Sequence, residues 1–128
     1  MITHISSVSV FVSDQASAKD FYTTKLGFTV LMDEPMGQSR WIQLAPKGAQ
    51  TSLVLSQPAD DMPPEVNARA RSLIGGFASF IFEVDDMQAT YDELGGRGVE
   101  FVDKPAQQPW GWWATIKDLD GNIIGLHK

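Results

Sequence analysis

Few side chains in this sequence can do acid–base or nucleophilic chemistry. It has two histidines, His4 and His127, and no cysteine. Thiolate nucleophiles, thiolate metal sites and disulfides are therefore excluded. No serine stands in a nucleophile-elbow setting. Glu83 and His127 are the weak candidates for a catalytic pair. A carboxylate and an imidazole are the groups that most often move protons near neutral pH. His4 falls on the other strand face by the same alternation, so the three do not converge on one point. Asp118-Leu119-Asp120-Gly121-Asn122 begins like a calcium loop, but it lacks the full ligand spacing and the closing glutamate. A hairpin turn at Gly121-Asn122 accounts for it.

What the sequence does offer is flat aromatic surface. Trp110-Gly111-Trp112-Trp113 precedes the last hairpin, and Trp41 stands alone upstream. Indoles build cores, but they also make walls for planar ligands. Alternation separates the two roles. Ile42 and Leu44 are core-directed, which turns Trp41 and Gln43 to the other face. Ile116, Ala114 and Trp112 share one face, so Trp112 is expected in the core. Trp113, Thr115 and Lys117 share the opposite one. The predicted ligand-binding residues are Phe11, Trp41, Gln43, Trp110, Trp113, Ser7 and Ser79.

The elements that position them occur twice. Val10 to Phe28 runs from a strand ending in Val12-x-Asp14, through an amphipathic helix, to a glycine exit at Gly27. Phe82 to Val99 repeats this with Val84-x-Asp86 and Gly98. Each aspartate caps its helix, and each glycine permits a left-handed exit. Ala18, Phe21, Tyr22 and Leu26 form one helical stripe. The predicted strands of the first copy are Ile5–Val12, Phe28–Met32, Arg40–Ala45 and Thr51–Ser56, with Asp33–Gly37 as a loop around Pro35. The second copy has strands at Ala78–Val84, Val99–Asp103, Trp113–Lys117 and Ile123–His127, with a helix over Met87–Leu94. The spacing gives a first module at 1–58, a linker at 59–76 holding a short helix behind Pro64, and a second module at 77–128. A repeated supersecondary unit is expected to enclose something between its copies.

Composition narrows the function class. At 128 residues the chain buries enough surface to fold without staples. Its 10 basic and 16 acidic residues give a net charge of −6. The excess lies wholly in residues 59–128, so no basic stripe exists for nucleic acid. The start carries no signal peptide, no run spans a membrane, and the lack of cysteine fits the cytoplasm.

The ordered series V-x-V-x-V-S-D (Val8 to Asp14), F-Y-x-x-x-L-G-F (Phe21 to Phe28), V-D-D (Val84 to Asp86), R-G-V (Arg97 to Val99) and D-L-D-G-N (Asp118 to Asn122) resembles the vicinal oxygen chelate superfamily. That group includes glyoxalase I, extradiol dioxygenases, fosfomycin-resistance enzymes and bleomycin-binding proteins. The resemblance implies an α+β fold: two βαβββ modules forming a U-shaped, eight-stranded mixed sheet around a cavity, usually in a homodimer. The last motif departs from the family's D-P-D-G-N by having Leu119 for proline. Enzymes of the family place His, Gln or Glu at four cavity-facing strand positions. By register these are Ser7, Val54, Ser79 and Gly125, none of which can hold a divalent ion. The expectation is therefore a metal-free, cofactor-free protein that binds a planar or aromatic small molecule. The alternative is a lyase, isomerase or dioxygenase-type enzyme, with displaced metal ligands or metal-free through Glu83 and His127.

Overall fold

The computed structural model describes every residue from Met1 to Lys128. Two compact units emerge, Met1–Ile74 and Gly75–Lys128. No helix is long and apolar enough to cross a membrane.

The first unit begins with strand β1 (Ser7–Phe11) and helix α1 (Gln15–Asp20), which passes into a π-helical turn over Phe21–Lys25. Strands β2 (Thr29–Met36), β3 (Ser39–Ala45) and β4 (Ser52–Ser56) follow, then helix α2 (Pro64–Ser72). The sheet order is β1-β4-β3-β2, with β1 parallel to β4 and the other pairs antiparallel. The second unit has strand β5 (Phe77–Glu83), helix α3 (Met87–Gly96), and strands β6 (Glu100–Phe101), β7 (Ala106–Gln108), β8 (Gly111–Lys117) and β9 (Ile123–His127). Its order is β5-β9-β8-β6, again with the first pair parallel, and β7 adds to β8.

The duplication is repeated in backbone geometry. Asp14 caps α1 at φ −145°, ψ 113°, and its carboxylate accepts from the Ser17 N–H. Asp86 caps α3 at φ −144°, ψ 111°, and accepts from Ala89. Gly27 and Gly98 leave the helices at φ 76° and 86°, where a Cβ would be strained. Of the apolar stripe, Ala18 and Tyr22 are fully covered, while Phe21 and Leu26 are half-buried. Its last turn, however, widens to π geometry. The hydroxyl of Thr23 donates to the Lys19 carbonyl and that of Thr24 to Asp20. Such back-bonding competes for the carbonyls of an α-helical ladder.

Three expectations are corrected. Asp33–Gly37 is not a loop, because β2 continues to Met36. Pro35 is tolerated because β2 is the sheet's edge, where a missing N–H breaks no inner ladder. A tight turn then follows, with Gly37 at φ 59° in its first central position. The strand expected over Val99–Asp103 is only Glu100–Phe101. The sheet of that unit has five strands rather than four, since β7 resumes the edge after a break. Lys117 faces Glu100, whereas Trp113, four positions back, faces Ala106, six positions on; two extra residues are looped out beside Pro105. Flanking prolines and a polar Ala-Gln-Gln hide this strand from pattern reading.

Gln15 holds the first unit together. Its buried carboxamide donates to the carbonyls of Arg40 (2.6 Å) and Leu55 (2.8 Å) and accepts from the Arg40 N–H (3.0 Å). It thus replaces the ladder where β3 and β4, paired through Ile42↔Leu55, part company. Met87 occupies the corresponding first position of α3 and is also buried.

Gln15→Ala is expected to leave the buried Leu55 carbonyl and two part-buried Arg40 backbone groups without this partner and cost about 2 kcal/mol, read by urea unfolding. Asp33 gives a pH signature. Its carboxyl is held below the usual range by hydrogen bonds from Lys19 and then Arg40. A depressed carboxylate contributes stability above its unfolded pKa of about 3.9 and loses it as pH falls through the folded value. Asp33→Asn is therefore expected to flatten the acid limb of the stability profile, measured by thermal melts below about pH 4.

Candidate ligand-binding faces

Each unit packs its first helix on one face of its sheet; the opposite face is mixed, in the first unit with Ser9 exposed but Ser52 and Val54 buried. Val10 and Val12 are buried on the helix side of β1, while Ser9 on the opposite face is exposed. On β5, Phe80 and Phe82 are half-buried, and Ser79, Ile81 and Glu83 are exposed. The predicted ligand residues Ser7, Phe11, Trp41 and Gln43 share this opposite face of the first unit by register. Ser79, Trp113, Glu83 and His127 share that of the second.

The ladders also define which positions correspond. Leu55 pairs with Val10 and Ile42, and Leu126 pairs with Phe82 and Ala114. Trp41 and Trp113 each precede the strand residue in that pairing, so they stand at equivalent places. They are also held alike. The Trp41 indole N–H donates to Gln43 Oε1 (3.1 Å), and the Trp113 N–H donates to Thr115 Oγ1 (3.2 Å). In both cases the partner is two residues along the same strand. Gln43 in turn donates to the Ser52 hydroxyl (2.7 Å), which reaches the Ser6 carbonyl (3.3 Å). Ser52 is buried and was not singled out from sequence, although alternation puts it on this face.

The same register aligns Val54 with Gly125. Ser7 and Ser79 correspond only by counting three positions back from Val10 and Phe82, since the β5–β9 ladder is irregular between Phe77 and Ile81. These are the four positions to which the family resemblance assigns metal ligands. Gly125 shows why this chain does not fit that use. A Cβ built there would overlap Cζ2 and Cη2 of Trp113. The indole lies on the bare backbone of β9, in the space a ligating side chain would need. No three His, Asp or Glu side chains come together elsewhere to hold an ion. The donor set at these positions is thus hydroxyl, valine and bare backbone, and it does not suit a divalent cation.

Glu83 and His127 do come together. His127 Nδ1 lies 2.8 Å from Glu83 Oε2, and its Nε2 lies 2.9 Å from the Trp110 carbonyl oxygen. Trp110 itself sits in the two-residue β7–β8 turn and is 63% exposed. The His127 pKa is raised above the ordinary imidazole value, first by the Trp110 carbonyl and then by Glu83. With both nitrogens engaged, the ring is not free to pass a proton to a third group. His4 bonds only its neighbour Thr3 in the exposed start of the chain. Trp112 departs from expectation. It is 39% exposed rather than buried with Ala114 and Ile116, because it faces polar Gln107 at the strand's end.

Residues 2–126 match the sequence profile of the Glyoxalase/Bleomycin resistance protein/Dioxygenase superfamily. The chain belongs to this superfamily. It is 40% identical to the uncharacterized protein YetH of Bacillus subtilis (strain 168), over the whole of both chains. Among solved structures it resembles UcmS2, with TM-score 0.84, 36% identity, and coverage of 99% of this chain and 98% of that one. It also resembles TnmS3, an antibiotic binding protein from Streptomyces sp. CB03234, with TM-score 0.80, 43% identity, and coverage of 98% and 95%.

Gly125→Ala is expected to push the Trp113 indole off β9. The measurable signs are a changed near-ultraviolet circular dichroism spectrum and a stability loss of about 1–3 kcal/mol, the usual range for overpacking.

Proposed function

We propose that this superfamily member is a metal-free small-molecule-binding protein whose ligand is planar or aromatic. The observation that carries this reading is the pair of equivalent indoles, Trp41 and Trp113. Each is pinned through its N–H on the sheet face opposite its unit's first helix. A pinned ring has little rotamer freedom left to lose, so stacking a flat ligand on it costs little entropy. Gln43, Ser7 and Ser79 add neutral hydrogen-bonding groups, and Phe11 and Trp110 add apolar wall. The likeness to an antibiotic binding protein at 43% identity supports small-molecule binding. A homodimer in the cytoplasm completes the proposal; it rests on the family resemblance and on the cysteine-free composition.

An enzyme acting through Glu83 and His127 is the second reading, favoured by their 2.8 Å contact. It requires the imidazole to release one of two partners, which places it behind binding.

The test is tryptophan fluorescence titration with bleomycin and a panel of planar aromatic antibiotics. Trp41→Ala and Trp113→Ala are each expected to weaken binding by roughly tenfold or more while lowering stability less. Equal losses of stability with unchanged affinity would make both indoles core residues and end the proposal. Elemental analysis of the purified protein is expected to find no stoichiometric transition metal. A bound metal whose removal abolishes ligand uptake would transfer the case to the enzyme reading.

A further inference from the structure

The cluster at the end of β9 does something the binding reading does not require. Its centre is His127, whose two ring nitrogens face two groups that can only accept. One is the Glu83 carboxylate on β5, and the other is the backbone carbonyl of Trp110 in the β7–β8 turn. A carbonyl has no hydrogen to give, and neither has an ionised carboxylate. Both contacts can be hydrogen bonds at once only when both nitrogens carry hydrogen, which is the imidazolium form.

The turn is shaped for this approach. Gly111 has φ 123°, and a Cβ there would come within 2.9 Å of His127 Nε2 and 2.5 Å of the Lys128 carbonyl oxygen. Only glycine lets the turn close on the ring. Beyond the Trp113↔His127 pair, the Trp112 N–H donates to Lys128 (2.9 Å) and the Lys128 N–H donates to Trp112 (3.1 Å). The charged groups around the ring are few. β5 supplies Glu83, and β9 continues into Lys128. β8 faces the ring with uncharged Trp113, its own Lys117 lying four residues further along.

We infer that His127 is a positioning residue: as a cation donating in two directions it straps the β7–β8 turn to β5 and β9, and so fixes where the exposed Trp110 stands. Losing one proton leaves one N–H. The carboxylate is the stronger acceptor, so the remaining hydrogen stays toward Glu83 and the Trp110 carbonyl is released. The turn is thereby strapped on the acid side of the His127 titration and loosened on the basic side. The stability the cation contributes runs the same way. A raised imidazole pKa gives stability that is full below the unfolded value of about 6.5 and lost as pH rises through the folded value.

Amide and indole NMR across about pH 5.5 to 9 tests this without any ligand, and so independently of the binding reading. The Trp110 indole and Gly111 amide signals are expected to shift with the midpoint of the His127 ring itself. The Trp112 amide should lose roughly fivefold in exchange protection on the basic side, the equilibrium effect of one ordinary hydrogen bond. Glu83→Gln is expected to lower the midpoint, and His127→Gln to remove the transition from the turn. If Trp110 and Gly111 stay fixed while His127 titrates, or if the same transition survives in His127→Gln, the strap does not exist. The wild-type titration alone decides the matter should either variant fold poorly.

Discussion

One helix can cover only one face of the sheet it folds onto, and the crossover that sets β1 parallel to β4 decides which. The same crossover sets β5 parallel to β9 in the second unit. Burial then follows the strand period: Val10 and Val12 go under α1, and Ser7, Ser9 and Phe11 go to the other side. Trp41 and Gln43 lie on that second face, and Trp113 on the corresponding face of the second unit. The caps at Asp14 and Asp86 matter for this reason. They fix the helix start, and with it the direction in which the helix returns across the sheet.

The two copies have kept their frame and diverged in detail. Trp41 and Trp113 remain equivalent, as do Val54 and Gly125. The strand pair next to each indole differs. In the second unit the ladder between β8 and β9 runs unbroken through Trp113↔His127. In the first, the Gln15 carboxamide enters between β3 and β4 just beyond Ile42, so Trp41 stands beside an opened ladder. Met87, in the matching place, offers no such group. A polar wedge on one side and a closed, charged strap on the other give the two faces different chemistry from one plan.

Much of this was legible in the sequence because the signals were local. Alternation in Val8 to Val12, the Val-x-Asp caps and the exits at Gly27 and Gly98 are read from neighbouring residues, and the structure follows them. What escaped depends on partners distant in sequence. Pro35 looks like a loop residue until β2 is known to be an edge. β7 is three residues between prolines, recognisable only as the partner of β8. Trp112 follows the alternation but lacks an apolar neighbour opposite. The His127 contact is hardest of all, since its acceptor is a backbone carbonyl and no residue type encodes that. Glu83 and His127 could be placed on one face from sequence, but not that both ring nitrogens would be taken.

The indole resting on Gly125 has a consequence for the order in which this protein could change. A side chain introduced at position 125 must displace the ring at 113, and shrinking the ring first uncovers the backbone of β9. Substitutions at two residues in such contact are not independent in their energies. A route from this chain to a metal-chelating relative therefore gives up the flat wall at Trp113, whether the ring shrinks first or is displaced by the new group at 125.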